Sequence, residues 1–308
     1  MEVIKGIDTL LASQLKEWEL ASSNYADLKN VRCRTMHFHG FDLLVQFNPK
    51  RIVSSSAKVD AKSIESRPCF LCQQNRPAQQ RGISFKKEYI ILLNPFPIFP
   101  KHLTIPLESH TNQLIAGHFE DMLDLASGLT DYVVFYNGPK CGASAPDHFH
   151  FQAGSKGFLP IERDFHLKAR CKLFRTEDKV KVYEWNDYLR TVVTFQSDHK
   201  ENLTALFYEF CTRFGQLHPA EAEPMMNIIA YREDNTWIVH LFPRIIHRPS
   251  HYFEQGEKQL LLSPASVDLG GVLITPREED FLKITSQQVG EIFSQVCSDN
   301  RTLLELFK

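Results

Sequence analysis

The sequence predicts an α+β protein of two similar halves, each an antiparallel sheet with helices packed on it. Three observations lead to this prediction. The 308 residues are 43% apolar and 23% charged, an ordinary composition for a globular chain that can bury a sizeable core. Short β-branched and aromatic runs alternate with segments of helical periodicity. The order helix, strand, loop, strand occurs twice, which indicates a weak internal duplication.

Residues 1–35 are expected to form a helical arm on the body of the protein. Their apolar side chains recur at helical spacing, at Ile7, Leu10, Leu11, Leu15 and Trp18. The segment lacks the cationic stretch, apolar run and cleavage site of a signal peptide. Seven cysteines in a long chain fit a reducing compartment better than a disulfide framework. Both observations predict a cytoplasmic protein.

Residues 36–180 form the first predicted half. Strands are expected at 40–47, 89–93, 103–106, 132–136 and 148–152, and a helix at 112–129. The stretch 54–66 is polar and reads as a loop. Prolines between the second and third of these strands exclude a continuous ladder there, because proline donates no backbone hydrogen bond.

Residues 181–308 form the second predicted half. A helix is expected at 201–214, strands at 226–231 and 237–242, a strand-like stretch at 267–275, and helices at 286–296 and 302–307. The formal net charge of -2 lacks the basic excess that nucleic-acid binding usually leaves in a sequence. The longest apolar run, at 89–93, is far too short for a membrane span. We therefore expect neither a nucleic-acid nor a membrane partner.

The clearest motif is H-x-H-x-Q at residues 148–152. Alternation along a strand puts His148, His150 and Gln152 on one face, opposite two phenylalanines. The preceding loop contains Gly138, Gly142 and Ser144, small residues that let backbone N–H groups approach a phosphate. Taken alone, the motif also fits a half-buried strand with solvent-facing histidines. With its loop it makes a phosphate-transfer site chemically plausible.

A C-x-x-C motif at Cys69 and Cys72 is a candidate half of a metal site. Two cysteines do not complete a tetrahedral site, so a loop with packed or exposed thiols is the alternative. A redox dithiol is less favoured, because no thioredoxin-like strand-to-helix pattern surrounds the motif.

Several motifs together resemble the galactose-1-phosphate uridylyltransferase branch of the histidine-triad superfamily. They are FYNGPKCGASAPDHFHFQ, the GFLPIE that follows it, NPKR at 48–51, NPF at 94–96, and TWIVHLFPRIIHR at 236–248. Phosphorylases of GDP-hexoses and of diadenosine tetraphosphate share the H-x-H-x-Q core. The tail LLLSPASVDLGGVLITPREEDF is similar to the C-terminus of the GDP-hexose phosphorylases. The resemblance therefore covers most of the chain, apart from the arm.

The resemblance implies two fused histidine-triad-like halves, with residues 36–180 catalytic and residues 181–308 degenerate and mainly structural. It implies that His150 is the nucleophile and that Gln152 bonds the phosphoryl oxygens. It further implies substrate contacts and metal ligands: Arg51, Asn94, Phe96, Asn137 and Ser144 for substrate, and Cys69, Cys72, His110 and His148 for structural zinc. Iron would fit the same ligands. A homodimer is also implied by the family.

The expected reaction is nucleotidyl transfer through a covalent nucleotidyl-His150 intermediate. The donor is a nucleoside-diphosphate sugar, and the acceptor is phosphate or a sugar 1-phosphate. Because an amide carries no titratable proton, Gln152 suits leaving groups that depart as phosphates. The alternatives are a dinucleoside polyphosphate phosphorylase and a catalytically silent, zinc-stabilised nucleotide-binding protein.

Two features of the second half allow a functional and a structural interpretation. His240 matches a ligand of a second metal in some uridylyltransferases, but Ile238 replaces the expected neighbour, so a core histidine is the favoured interpretation. Arg244, His247 and Arg248 form a cationic cluster that either contacts the phosphate of the second substrate or lies in a solvated turn, and the turn is favoured.

Overall fold

The computed structural model describes residues 2–52, 59–217 and 219–307. The strands of this part of the chain are β1 (Arg32–Phe38), β2 (Phe41–Phe47), β3 (Gly82–Phe85), β4 (Tyr89–Leu93), β5 (His102–Pro106), β6 (Tyr132–Asn137), β7 (His150–Ser155), β8 (Cys171–Glu177), β9 (Val180–Trp185), β10 (Val193–Ser197), β11 (Met226–Glu233), β12 (Thr236–Pro243) and β13 (Val272–Thr275).

The α-helices of the same residues are α1 (Glu2–Glu17), α2 (Glu19–Leu28), α3 (Ala61–Glu65), α4 (Phe119–Gly128), α5 (Pro160–Asp164), α6 (Lys200–Gln216), α7 (Ser250–Phe253), α8 (Ser266–Leu269), α9 (Glu278–Lys283), α10 (Ser286–Val296) and α11 (Asn300–Glu305). Short 3₁₀ turns lie at Pro49–Arg51, Gln73–Asn75 and Gly256–Lys258.

One antiparallel sheet of ten strands runs through both halves in the order β3-β4-β5-β7-β6-β11-β12-β10-β9-β8. The order β4-β5-β7-β6 is mirrored by β9-β10-β12-β11, and a helix precedes the last two strands of each set, α4 in one and α6 in the other. The two sets meet where β6 pairs with β11, with Asn137 opposite Asn227. The predicted duplication is therefore visible in the strand order, and both halves share a single sheet.

Both faces of the sheet are covered, which explains the continuous apolar runs in its central strands. In β6, Val134 and Tyr136 contact the layer of α4 and α6, while Val133 and Phe135 contact the opposite layer. That opposite layer contains a small sheet in which β2 lies between β1 and β13, with β13 parallel to β2. The tail of the chain thus returns to pack on the first half.

The predicted arm is helical, and it consists of two helices that meet at Trp18. The extended backbone of Trp18 separates α1 from α2, and the Trp18 side chain packs with Ala21, Tyr25 and Leu93. None of the helices in the residues that the structure describes is long and apolar enough to cross a membrane.

Some predicted elements differ from the structure. The helix expected at 112–129 begins only at Phe119, because Gly117 adopts a φ of 82° and breaks the preceding turn. The stretch 267–275 is helix α8 followed by β13 rather than one strand, and His148 precedes β7 instead of lying in it. In the polar loop, 61–65 is helical, and 53–58 lie outside the described residues.

Strands β1, β3, β8, β9 and β10 were not expected from the sequence. Strand β1 begins at Arg32, inside the segment expected to be the arm. Strand β9 begins at Val180, at the predicted boundary between the halves.

Candidate active site and metal centre

A cavity of about 820 Å³ opens on the face of the sheet that the tail covers. The arm contributes Trp18 and Leu20 to one part of its wall, and the tail contributes Ser263, Ala265 and Asp268 to another. All seven residues expected to act in catalysis or substrate binding line this one cavity: Arg51, Asn94, Phe96, Asn137, Ser144, His150 and Gln152. The structure thus brings together side chains that are about a hundred residues apart in sequence.

His150 is held in one orientation at the start of β7. The side chain of Gln113 accepts a hydrogen bond from the His150 backbone N–H at 2.7 Å and donates one to its carbonyl at 2.9 Å. The Nδ1 of His150 lies 2.8 Å from the carbonyl oxygen of His148, so Nδ1 carries the proton. Burial lowers the pKa of His150 to about 4. The ring is therefore neutral at pH 7, with a free electron pair on Nε2 in the cavity wall.

Gln152 has a defined amide orientation. Its Oε1 lies 3.1 Å from Nε2 of His102, a histidine that is completely buried behind the cavity wall. Among the residues that the structure describes, none is hydrogen-bonded to the amide nitrogen of Gln152. This nitrogen is therefore available as a donor to a bound molecule.

Asn137 ends strand β6 with its side chain in a buried polar network. Its Oδ1 accepts hydrogen bonds from Nδ2 of Asn227 at 2.8 Å and from the backbone N–H and hydroxyl of Ser266 at 2.9 and 2.7 Å. Asn227 in turn accepts a bond from Nη1 of Arg244 at 2.7 Å. With its oxygen fully engaged, Asn137 has its amide N–H groups left for the cavity.

The segment 94–96 is a turn stabilised by its own side chains. Oδ1 of Asn94 accepts a bond from the Phe96 backbone N–H at 2.9 Å, and Nδ2 donates to the Thr104 hydroxyl at 3.0 Å. Arg51 donates to the Phe96 carbonyl at 2.8 Å. Asp268 opposes part of the pKa lowering that burial imposes on Arg51, so these two groups interact electrostatically in the cavity wall.

The loop between β6 and β7 carries Ser144 to the cavity. Gly142 in this loop has a φ of 94°, and a Cβ built there would lie 2.6 Å from the Cβ of Ala265. A glycine is required because both the backbone conformation and the close approach of the tail exclude a side chain.

Cys69, Cys72, His110 and His148 form one cluster whose ligand atoms all lie within 4.8 Å of one another. Nδ1 of His148 is 3.2 Å from Sγ of Cys69 and 3.5 Å from Sγ of Cys72, and Nδ1 of His110 is 3.2 Å from both Sγ of Cys72 and Nδ1 of His148. Metal bonds of about 2.0–2.3 Å in a tetrahedron put neighbouring ligand atoms about 3.3–3.8 Å apart. The cluster could therefore bind a metal ion.

The surroundings of the cluster favour an unprotonated Nδ1 on His148 and an ionised Cys69, whereas burial and the neighbouring Cys69 raise the pKa of Cys72. Nε2 of His148 lies 2.8 Å from the Leu107 carbonyl, so Nε2 carries the proton and Nδ1 is free to coordinate. Burial opposes ionisation of the Cys69 thiol, but the adjacent His148 ring and hydrogen bonds from backbone N–H groups outweigh it and lower the pKa of Cys69 to about 6.

The second half holds its own buried histidine, His240, in strand β12. Nδ1 of His240 lies 2.7 Å from the Thr194 hydroxyl and Nε2 lies 3.3 Å from the Tyr231 hydroxyl. His240 is a hydrogen-bonded core residue, as expected. The interpretation of Arg244 as part of a solvated turn was wrong: Arg244 is fully buried, whereas His247 and Arg248 line the cavity.

Sequence reasoning missed three residues that organise this site: His102, Gln113 and Asn227. Each is buried and polar, and each bonds a residue of the cavity wall from a different strand or loop. The only sequence signal was polarity within an apolar surrounding, at His102 before LTIP and at Asn227 before IIAY.

Two protein-family models match the chain. Residues 10–155 match the family described as "Domain of unknown function (DUF4922)", and residues 165–306 match the family described as "GDPGP1-like, C-terminal domain". No curated protein sequence matches the chain significantly.

Solved structures of yeast Ap4A phosphorylase Apa2 are similar over nearly the whole chain. One has a TM-score of 0.57 at 17% identity and covers 91% of this chain and 93% of its own. The complex with Ap4A has a TM-score of 0.59 at 16% identity and covers 91% and 96%. At this identity the likeness shows a shared fold. The predicted α+β architecture is thereby confirmed, and the match to the GDPGP1-like C-terminal domain together with this shared fold bears out the similarity that the motifs predicted.

Proposed function

We propose that this protein is a nucleotide phosphorylase or nucleotidyltransferase that carries a nucleoside monophosphate on His150. The observation that carries the proposal is the state of His150: its Nδ1 is bonded to a carbonyl, and its neutral ring offers Nε2 to a cavity lined by amides and cations. The GDPGP1-like C-terminal domain and the fold shared with Ap4A phosphorylase support this class of enzyme.

In the first step, Nε2 of His150 attacks the α-phosphorus of the donor. A P–N bond forms, and the P–O bond to the leaving phosphate group breaks, with its electron pair leaving on that oxygen. The ring becomes cationic as the bond forms. The hydrogen bond from Nδ1 to the His148 carbonyl stabilises this charge, because a charged donor makes a stronger hydrogen bond.

In the second step, an oxygen of phosphate or of a sugar 1-phosphate attacks the same phosphorus. The new P–O bond replaces the P–N bond, and the electron pair returns to Nε2 of His150. In both steps we expect the amide nitrogens of Gln152 and Asn137 to bond the non-bridging oxygens, and Arg51 and Ser144 to add charge and a hydroxyl; all four residues line the cavity.

Two donor classes suit this chemistry. A nucleoside-diphosphate sugar is favoured by the GDPGP1-like C-terminal domain. A dinucleoside polyphosphate is favoured by the whole-chain likeness to yeast Ap4A phosphorylase. When the α-phosphorus of either donor is attacked, the leaving group departs as a phosphate. Both donors therefore agree with an amide at position 152.

Intact-protein mass spectrometry tests the proposal. The wild-type chain is incubated without acceptor with UDP-hexose, GDP-hexose or diadenosine tetraphosphate, beside His150→Ala. We expect an added nucleoside monophosphate from at least one donor on the wild type alone, and its discharge when phosphate or hexose 1-phosphate is added. The added mass identifies the base. Absence of an adduct from every donor, in folded and metal-loaded protein, would instead support a silent nucleotide-binding protein.

We further infer that Cys69, Cys72, His110 and His148 hold zinc as a structural centre, with iron as the other metal that these ligands accept. A bound metal ion would fix the C-x-x-C loop against His148, and so against the start of the strand that carries His150. Elemental analysis is expected to find about one metal ion per chain, and to find it lost in Cys69→Ser and His110→Ala. Cys33→Ser, at an exposed cysteine outside the cluster, is the control. Metal-free wild type from zinc-supplied cells would contradict the inference.

A further inference from the structure

His102 is a completely buried histidine for which the proposed reaction has no role. It begins β5 and lies opposite Gly154 of β7, so its side chain is a diagonal neighbour of Gln152 on the same face of the sheet. Its ring packs edge-on against Phe99, with the centroids 5.3 Å apart. The ring does not contribute to the wall of the cavity, and it lies behind Gln152.

The hydrogen bonds around His102 fix which nitrogen carries its proton. The backbone N–H of Ile98, which can only donate, points at Nδ1 of His102 at 3.1 Å. Nδ1 must therefore be the unprotonated nitrogen, and in a neutral ring the proton lies on Nε2. Burial, with the nearby Arg51 adding to it, lowers the pKa of His102 to about 3, which agrees with a neutral ring.

The protonated Nε2 in turn selects one orientation of the Gln152 amide. Nε2–H donates to Oε1 of Gln152 at 3.1 Å, which leaves the NH₂ group of Gln152 for the cavity. The flipped amide would set two donors against each other and would present a carbonyl oxygen to the phosphate. That arrangement would lose one hydrogen bond and place like charges together.

The arm holds the backbone of His102 at the same time. The hydroxyl of Tyr25 donates to the His102 carbonyl at 3.1 Å and accepts from the His102 N–H at 3.3 Å. The neighbouring Asn24 donates to the Pro95 carbonyl at 2.8 Å. Helix α2 thus stabilises the strand start that carries His102 and the turn 94–96 of the cavity wall.

We propose that His102 is a positioning residue that presents the NH₂ group of Gln152 to the transferring phosphoryl group, and that the arm is part of the active-site framework through Tyr25. The inference rests on the proposed nucleotidyl transfer for its kinetic consequence. The tautomer of His102 and the orientation of the Gln152 amide do not depend on the proposed reaction, because hydrogen bonds within the protein determine both.

Two substitutions of His102 separate its two hydrogen bonds. In His102→Asn the short side chain can still accept from Ile98 N–H but does not reach Gln152. In His102→Gln the longer side chain places an amide donor near the position of Nε2. We expect the rate of adduct formation from GDP-hexose or diadenosine tetraphosphate to fall about tenfold in His102→Asn with KM little changed, and to stay within about threefold of wild type in His102→Gln. His240→Asn, at a buried histidine of the second half, is the matched control.

A double-substitution cycle shows whether His102 acts through Gln152. In the Gln152→Ala background, His102→Asn should lower the rate by less than about twofold, because the amide to be oriented is gone. A full tenfold loss in that background, or a loss in His102→Gln as large as in His102→Asn, would show a general structural role and overturn the proposal. Thermal unfolding of each variant identifies losses that come from misfolding.

The tautomer of His102 can be measured independently of enzymatic activity. With ¹⁵N-labelled histidine, NMR should report His102 protonated on Nε2 and unprotonated on Nδ1 at pH 7. The opposite tautomer, or a charged ring, would overturn the inference even if nucleotidyl transfer is confirmed. Conversely, the expected tautomer in a protein that forms no adduct would locate the failure in the proposed function.

Discussion

Replacing Asn227 by alanine tests the polar network that joins the two halves beside the cavity. Asn227 is fully buried and makes three hydrogen bonds: to Oδ1 of Asn137 at 2.8 Å, to the Cys141 carbonyl at 2.7 Å, and from Nη1 of Arg244 at 2.7 Å. Asn137 keeps its two bonds from Ser266 after the substitution. The Cys141 carbonyl and one N–H of the Arg244 cation are left without these partners.

The expected cost follows from those two groups. An unsatisfied buried neutral group costs about 1–3 kcal/mol, and a group on a buried charge costs more. We therefore expect Asn227→Ala to lower the free energy of unfolding by about 4 kcal/mol. The measurement is urea unfolding of metal-loaded protein, followed by far-UV circular dichroism and by tryptophan fluorescence.

The control is Asn235→Ala, on the exposed turn between β11 and β12. We expect it to change the free energy of unfolding by less than about 0.5 kcal/mol. A loss below about 1 kcal/mol in Asn227→Ala would refute the reasoning, since it would mean that water or a local rearrangement replaces the lost bonds.

Two further predictions concern stability. Burial raises the pKa of Glu223 from 4.5 to about 7, outweighing its hydrogen bonds from Tyr136 and Ile115. The folded chain therefore holds this proton more tightly, and stability present below pH 4.5 falls by about 3 kcal/mol as the pH rises through 7. Glu223→Gln should flatten this fall in urea unfolding between about pH 5 and pH 8, and an unchanged slope would contradict it. Gly142→Ala should destabilise more than Gly157→Ala, by about 1–3 kcal/mol, because both have positive φ but only Gly142 faces Ala265 at 2.6 Å. Equal melting temperatures would argue against the close contact.

The sequence motifs predicted the participants of the site well because each motif combines chemistry with a fixed local spacing. The four candidate metal ligands and the seven cavity residues come together as expected. The positioning residues could not be predicted in the same way. Gln113 acts on His150 across 37 positions, His102 on Gln152 across 50, and Asn227 on Asn137 across 90. The spacing of apolar residues along a helix or strand gives no information about hydrogen-bond partners so distant in sequence.

Two errors in the predicted secondary structure also arise from contacts of polar side chains that the local sequence does not reveal. Apolar spacing at 112–129 predicts a helix, yet Gln113 holds both backbone groups of His150 from a loop. At 267–275 the apolar pattern fits a strand, but the carboxylate of Asp268 accepts from the N–H groups of Ala265 and Ile274 and closes a turn. At 267–275 the capping contacts of Asp268 override the local preference of the chain, and at 112–129 the tertiary contact of Gln113 adds to the break at Gly117.

The return of the tail to the first half has a consequence for biosynthesis. Ser266 supplies two of the three donors to Asn137, and β13 completes the small sheet by pairing with β2, more than two hundred residues earlier in the chain. A nascent chain whose His150 has already left the ribosome still lacks this wall of its cavity. Premature termination or proteolysis ahead of residue 263 would therefore yield a polypeptide with every reactive group and an incomplete pocket. The cavity is therefore complete only after Ser266 and β13 have been synthesised and have packed on the first half.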